Sequence, residues 1–191
     1  MWISPTNLMP LDQSDLLEKV YFYAIDKICD AVLVTPVCDI VQSKVDNLTF
    51  CAVTPAYTLL DDFLIRHWSD ELDSETLEKK KILSKGKKES LEKKIGQIAS
   101  NFQYPRYHWL DPYPKESEPN LIDFQLTACI KYEEIIRNIS SGECSRKLSI
   151  QSPWREQIPV RYASYMARIG VPDKQGLDQD LEGWFKKNFS L

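Results

Sequence analysis

The sequence predicts a single α+β domain over residues 1–191, in which antiparallel strands carry a helical insertion and a helical C-terminal extension. Two apolar runs, Ala31–Val34 and Leu48–Val53, are rich in residues that suit a pleated, buried surface, and each run stops at a Thr-Pro pair. Because proline cannot donate a ladder hydrogen bond and holds the preceding residue extended, each pair marks a strand end. The polar segment 39–47 is then the connection between two paired strands.

Residues 57–102 are predicted to form a lysine-rich helical insertion, because apolar side chains recur there at helical spacing. Within it, Lys79–Lys94 holds eight lysines and two glutamates in a chain whose net charge is −4. Gly86 lies among like charges, and both features disfavour a continuous helix. The sequence therefore predicts a break between two helices and an exposed site for proteolysis or partner binding at these four residues: Lys85, Gly86, Lys87 and Lys88.

The other predicted strands are less clearly bounded. Residues 16–28 suit a strand or a helix, and our interpretation is a helix or turn that leads into the first strand. Strand character returns at 106–110 and 121–130, and a further strand at 132–136 could close the sheet. Residues 140–143 are predicted to form a loop.

The C-terminal extension, 152–191, is predicted to be helical. A Ser-Pro pair at 152–153 supplies an N-cap and a first helical position, and the Gly-Val-Pro run at 170–172 ends the helix. Pro159 removes one backbone hydrogen bond, so we expect a kink or a late start. Residues 177–185 have the pattern of a short amphipathic helix.

Composition excludes several classes of protein. With 43% hydrophobic and 27% charged residues the chain has the composition of a globular domain, and no apolar run approaches the ~18 residues of a membrane span. The N-terminus has no secretory signal pattern. Five cysteines without a C-x-x-C spacing predict reduced thiols in a cytoplasmic protein, with Cys51 inert in a strand and Cys144 most reactive in a polar loop. His67 and His108 lie far apart, so neither zinc nor another cofactor is expected.

The order of strand, polar loop and strand resembles the small SH3-like barrel of the PemK/MazF toxin family. The matching pieces are Ala31–Thr35 and Phe50–Thr54. The run Cys38-Asp39-Ile40 is similar to a bacterial side branch of that family that has Cys-Asp-Ile or Cys-Asp-Leu after the first strand. Two later pieces, 120–124 and 155–172, resemble the same branch. The resemblance implies a small, strongly bent antiparallel β-barrel.

The resemblance also implies cleavage of single-stranded RNA, with an arginine just before the first strand and a threonine or serine at the end of the second. A guanidinium holds the phosphate as negative charge builds on it. Thr54 matches the hydroxyl, but Asp30 occupies the position before Ala31, and its carboxylate would repel a phosphate. We therefore expect no enzymatic activity; the alternative is a nuclease with a rearranged site, in which Lys27 or Arg106 supplies the cation.

Two further groups of residues invite a functional interpretation. Cys38 beside Asp39 could be a nucleophile, but a neighbouring carboxylate disfavours the thiolate, so a turn at the strand end is the preferred interpretation. Arg161 and Arg168 are seven apart on one predicted helix face and, with Cys38 and Asp39, are candidate interaction residues.

The aromatic residues near 102–113 could stack on nucleic-acid bases. Strand alternation places Arg106, His108 and Leu110 on one face, and Tyr107 and Trp109 on the other. The preferred interpretation is that the second face, with its two aromatic rings, belongs to the core.

The function implied by these features is contact with other proteins in a bacterial antiviral or stress-response system. Genes that resemble the Cys-Asp-Ile branch tend to lie beside defence modules, and MazF-like proteins there include targets of CRISPR-associated proteases. The expected partner is another protein of the same operon: a protease, a sigma-like factor, or a toxin or antitoxin. A nucleic-acid-binding module that uses Lys79–Lys94 is a second alternative. No membrane partner is expected.

Overall fold

A computed structural model of the protein describes residues 2–3, 10–58, 105–112 and 118–167, together with five single helical residues: Gly86, Glu89, Lys93, Gly96 and Gln97. These residues form seven strands: β1 (Trp2–Ile3), β2 (Asp15–Phe22), β3 (Lys27–Leu33), β4 (Asn47–Pro55), β5 (Tyr107–Leu110), β6 (Asn120–Lys131) and β7 (Ser145–Ile150). The helices with described bounds are α1 (Val37–Val41), α2 (Tyr132–Ser141) and α3 (Trp154–Ala167), and residues 56–58 are also helical.

All the strands belong to one sheet, whose order is β1-β7-β2-β3-β4-β6-β5. Every neighbouring pair is antiparallel. The predicted α+β class is confirmed. Since β1 and β5 stand at opposite ends of this order, pairing among the described strands does not close the sheet into a barrel.

The predicted pair of strands is present as β3 and β4. Asp30 lies opposite Val53, and Leu33 lies opposite Phe50. The connection differs from the prediction because α1 begins directly after Pro36, so the segment is partly helical.

Residues 16–28 form two strands joined by a turn, so the predicted helix or turn at their start is wrong. β2 pairs with β3 on one side and with β7 on the other, and this pairing satisfies its backbone on both edges. Asp26, in the turn between β2 and β3, has φ of 52°. Tertiary pairing therefore decides between the two patterns that the local sequence allows.

The strand considered at 132–136 is a helix instead, and the predicted loop at 140–143 begins only after this helix ends. Glu133 and Glu134 occupy the first turn of α2, where the backbone N–H groups favour negative charge. Gly142, with φ of 79°, ends the helix in the left-handed conformation that glycine adopts most easily. β7, the strand that follows, was not predicted.

The described residues form two large apolar cores on the sheet and a small third one of Ala56 and Leu121. One is built around Leu17, Phe50 and Ile135; the other contains Val32, Ile122 and Phe124 and extends to Ile158 of α3, with these further apolar members: Leu16, Val34, Cys51, Val53, Leu110, Leu148 and Ile150. The predicted C-terminal helix is thus present as α3, with Pro159 inside it. The predicted helix end at 170–172 and the amphipathic segment 177–185 lie outside the described residues.

A buried ion pair joins the start of β2 to β7. Asp15 is fully buried, and its Oδ2 lies 2.8 Å from Nε of Arg146. Ser149 Oγ donates to the same carboxylate at 2.5 Å. Next to this pair, Arg155 of α3 contacts Asp12 at 2.8 Å, so the chain before β2 is held to both the sheet and the helix. No helix in the described part of the chain is long and apolar enough to cross a membrane.

Candidate functional site

The position where the resembled family has an arginine is occupied by a carboxylate bound to a lysine. Lys147 Nζ lies 2.8 Å from Glu18 Oε1 and 3.7 Å from Asp30 Oδ2. Burial raises the pKa of Asp30, and the charge of Lys147 opposes that rise. A cation is therefore present at this position, but two carboxylates already surround it. The prediction for this region missed Lys147, because its contact with β2 and β3 depends on a strand that the sequence did not reveal.

Two residues of the alternative nuclease site, Thr54 and Lys27, lie on the face of the sheet opposite to Asp30. Asp30 is opposite Val53, so strand alternation directs Thr54 to the other face of the sheet. Thr54 pairs with Leu121 of β6. Lys27 is exposed at the start of β3, where it pairs with Phe22 of β2. Because it lies three residues before Asp30 in the same strand, its side chain is also on the other face from Asp30.

Arg106 is held by a buried carboxylate. Its Nε and Nη2 donate to Asp123 Oδ1 and Oδ2 at 2.8 and 2.6 Å, and Asp123 is 4% exposed. The Arg106 guanidinium carbon also lies 4.9 Å from the centre of the Tyr107 ring. The bond to Asp123 raises the pKa of Arg106, so the pair stays charged and mutually neutralised. This arrangement fastens β5 to β6 and leaves little net positive charge for a phosphate.

Cys38 lies in the first turn of α1 and is exposed. Its thiol lies 3.6 Å from Asp39 Oδ1. Within the described ranges no hydrogen bond joins Cys38 to a histidine or a cation, which are the groups that would activate a nucleophilic thiol. The geometry favours the interpretation of this pair as part of the turn after β3.

Two cysteines are exposed and two are buried, and this changes the expected order of thiol reactivity. Cys51 is buried, as predicted, and burial raises its pKa. The prediction for Cys144 is wrong: its side chain is 3% exposed, and burial raises its pKa to about 11. The polar residues before Cys144 predict an exposed loop, but the side chain of Cys144 itself packs on the core beside Ile135.

We therefore expect Cys38 and Cys129 to react first with a thiol reagent in the native protein, because both are exposed. Mass spectrometry of peptides after brief labelling measures the order. Labelling in denaturant is the control, since all five thiols then become accessible. Modification of Cys51 or Cys144 as fast as Cys38 would contradict the buried positions of these two side chains.

The face of β5 that carries His108 is the buried one, contrary to the prediction. His108 and Leu110 are almost fully buried because α3 covers their face, whereas Tyr107 and Trp109 are half-buried beside Leu121. Both rings pack against other residues, which leaves less of each open to stack on a base.

Arg161 of α3 contacts β5, the strand that contains His108. Its Nη2 donates to the backbone oxygen of Tyr107 at 2.8 Å, so this candidate interaction residue ties α3 to β5. Burial lowers the pKa of His108 to about 3, and the nearby charge of Arg161 adds to the effect. Arg168 lies outside the described residues.

Replacing His108 with glutamine is expected to flatten the dependence of stability on pH between about 6.5 and 3. The folded protein keeps His108 neutral in that window while the unfolded chain binds a proton, so stability falls as the pH falls, by up to about 1.4 kcal/mol per pH unit. Urea unfolding at several pH values measures this slope. The same slope in both proteins would show that His108 does not carry it. Gln125→Glu, at an exposed position, is the control, because it adds a titrating group outside the core.

The lysine-rich segment is described at only a few positions. Gly86 is helical and exposed, so the predicted helix break at this residue is wrong, although its exposure agrees with an accessible segment. Glu89 and Lys93 are also helical and exposed. Lys85, Lys87 and Lys88 lie outside the described residues. Over the ranges that the structure describes, no group of three or more histidine, cysteine, aspartate or glutamate side chains could hold a metal ion.

The chain matches no protein-family model, no curated protein and no solved structure. The resemblance to the PemK/MazF family therefore rests on sequence pattern alone: the paired strands, the Cys-Asp-Ile run and the two later pieces at 120–124 and 155–172.

Proposed function

We propose that this chain is a non-catalytic MazF-like protein that acts through protein contacts in a bacterial antiviral or stress-response system. The observation that carries this proposal is Asp30 at the position of the family's arginine. Its neighbouring cation, Lys147, is shared with Glu18, so the three side chains together carry a net negative charge. Such a site disfavours a phosphate whose charge grows during cleavage.

The alternative is a nuclease in which Arg106 or Lys27 replaces the missing cation. The bidentate contact between Arg106 and Asp123 counts against the first of these, because the guanidinium would have to leave a buried carboxylate to bind a phosphate. Lys27 remains exposed, so this alternative depends on Lys27 acting with Thr54.

The proposed fold in detail is a small, strongly bent barrel. Three register shifts support the bend. They lie between Leu17 and Val20 where β2 pairs with β3, between Leu16 and Leu17 where β2 pairs with β7, and between Asp123 and Thr127 of β6 where it pairs with β4. Bulges of this kind increase local twist and curvature, which a small barrel needs at its corners.

We expect the purified protein to leave a panel of single-stranded RNAs uncut, and its expression not to arrest growth. Gel analysis of the RNAs measures the first outcome, and Thr54→Ala is the informative variant, with the exposed Thr58→Ala as its matched control. Sequence-specific cutting that Thr54→Ala abolishes and Thr58→Ala preserves would establish the nuclease instead.

The proposed partner is another protein of the same operon, including a CRISPR-associated protease that would cut near Gly86. The exposure of Gly86 supports access, but a helical backbone must open locally before a protease can bind it. The test is co-expression with each protein of the neighbouring genes, followed by purification. Binding of nucleic acid by Lys79–Lys94 is distinguished by salt, since phosphate contacts of several lysines weaken by orders of magnitude between low and physiological salt.

A further inference from the structure

The end of the β2–β3 hairpin and α2 enclose a cavity with two aromatic walls. The rings of Tyr21 and Tyr23 are perpendicular, with their centres 4.6 Å apart. Both line a cavity of about 310 Å³, together with Ile28 and Ile135. Tyr23 and Ile28 are 68% and 66% exposed, values that are high for large apolar side chains.

The charges around the cavity are mainly negative. Among the described residues that line it, Glu134 and Glu143 are acidic and only Lys19 is basic. The hydroxyl of Tyr23 donates to Glu134 Oε1 at 3.3 Å, which places a carboxylate at the edge of one aromatic wall. The hydroxyl of Tyr21 donates to Asp26, a third carboxylate at the hairpin turn.

Two perpendicular aromatic rings beside carboxylates match the chemistry of an organic cation. A positive group is attracted to the face of each ring, and an opposite charge nearby strengthens its binding. The exposed side chain of Ile28 would cover the apolar stem of a long basic side chain, which normally buries its methylene groups. A purely apolar ligand would bring no positive charge to Glu134 and Glu143.

We propose that this cavity binds a lysine side chain of a basic peptide segment of a partner protein. The ammonium group lies against the open face of the aromatic pair and beside Glu134, and its methylene stem lies on Ile28. This site rests on the proposed function, because it supplies the surface through which a non-catalytic protein would contact its partner. It does not involve Asp30, Thr54 or Arg106.

The experiment uses the full chain and a fluorescent peptide with the sequence of residues 79–94, whose eight lysines and interspersed apolar residues have the proposed chemistry. Fluorescence anisotropy at physiological salt measures the dissociation constant. We expect Tyr23→Ala and Glu134→Gln each to weaken binding about threefold to tenfold, the range expected for loss of one ring or one charge at a partly exposed site.

Two matched controls separate this cavity from general attraction. Glu133→Gln removes the adjacent charge of the same helix turn, and Tyr57→Ala removes an exposed tyrosine elsewhere. Both should bind as the unchanged protein does. Equal weakening by all four variants, or no binding at millimolar peptide, overturns the proposal. Equal binding of a peptide with every lysine replaced by glutamine also overturns it and identifies an apolar occupant.

The result is separable from that of the proposed function. Capture of an operon protein that Tyr23→Ala leaves unchanged would overturn this site alone. RNA cleavage lost in Thr54→Ala would overturn the proposed function, while peptide binding that depends on Tyr23 and Glu134 would still stand. Thermal unfolding of each variant verifies that the hairpin end remains folded.

Discussion

A chain cut between Lys85 and Lys88 is expected to remain one particle of the uncut mass, 22.2 kDa. The cut would leave β2, β3 and β4 on one fragment and β5, β6 and β7 on the other. Nine residue pairs join β4 to β6, and β7 pairs with both β1 and β2. Separation would expose core residues such as Phe50 and leave long strand edges unpaired. The free energy lost in this way is far larger than the entropy that the two fragments gain by coming apart.

The measurement is size-exclusion chromatography of a variant in which residues 85–88 are replaced by the recognition sequence of a specific protease. The cut protein should elute with the uncut protein in buffer and as two fragments in denaturant. Elution as two separate fragments in buffer would contradict the strand pairing. If a protease is the natural partner, release of a fragment then requires a second molecule that competes for β4 or β6.

Replacing Asp15 with alanine is expected to destabilise the protein by about 3–5 kcal/mol, because it leaves the Arg146 guanidinium in a largely buried position without its carboxylate. Burial raises the pKa of Asp15, and the contacts with Asp12, Ser149 and Arg146 oppose that rise. The ionised pair is thus costly to bury, and the cost of removing one partner comes from the group that is left behind. Urea unfolding measures the change.

Two comparisons sharpen this prediction. Glu18→Ala removes a carboxylate from a more exposed ion pair with Lys147 and should cost at most about 1 kcal/mol. The double variant Asp15→Leu with Arg146→Met removes both charges and should lose less stability than Asp15→Ala alone. A double variant as unstable as the sum of its single changes would show that the two side chains act independently.

The sequence alone determined the elements whose signals are local. The Thr-Pro pairs and β-branched residues predicted β3 and β4, and the strand character of residues 121–130 predicted β6, because strand ends and pleated surfaces depend on neighbouring residues. The Ser-Pro pair at 152–153 predicted α3 in the same way. The carboxylate of Asp30 directly before the first apolar run, on which the proposed function depends, is also evident from the sequence.

Tertiary structure decided the features that depend on residues distant in the chain. Residues 16–22 became a strand only because β3 and β7 pair with it, and β7 is too short and polar to be recognised before that pairing is known. The contacts of Lys147 with Asp30 and of Arg106 with Asp123 join different strands, so their charges could not be paired from the sequence. Burial of Cys144 likewise follows from packing against the core, since a short polar loop does not show which of its side chains points inward.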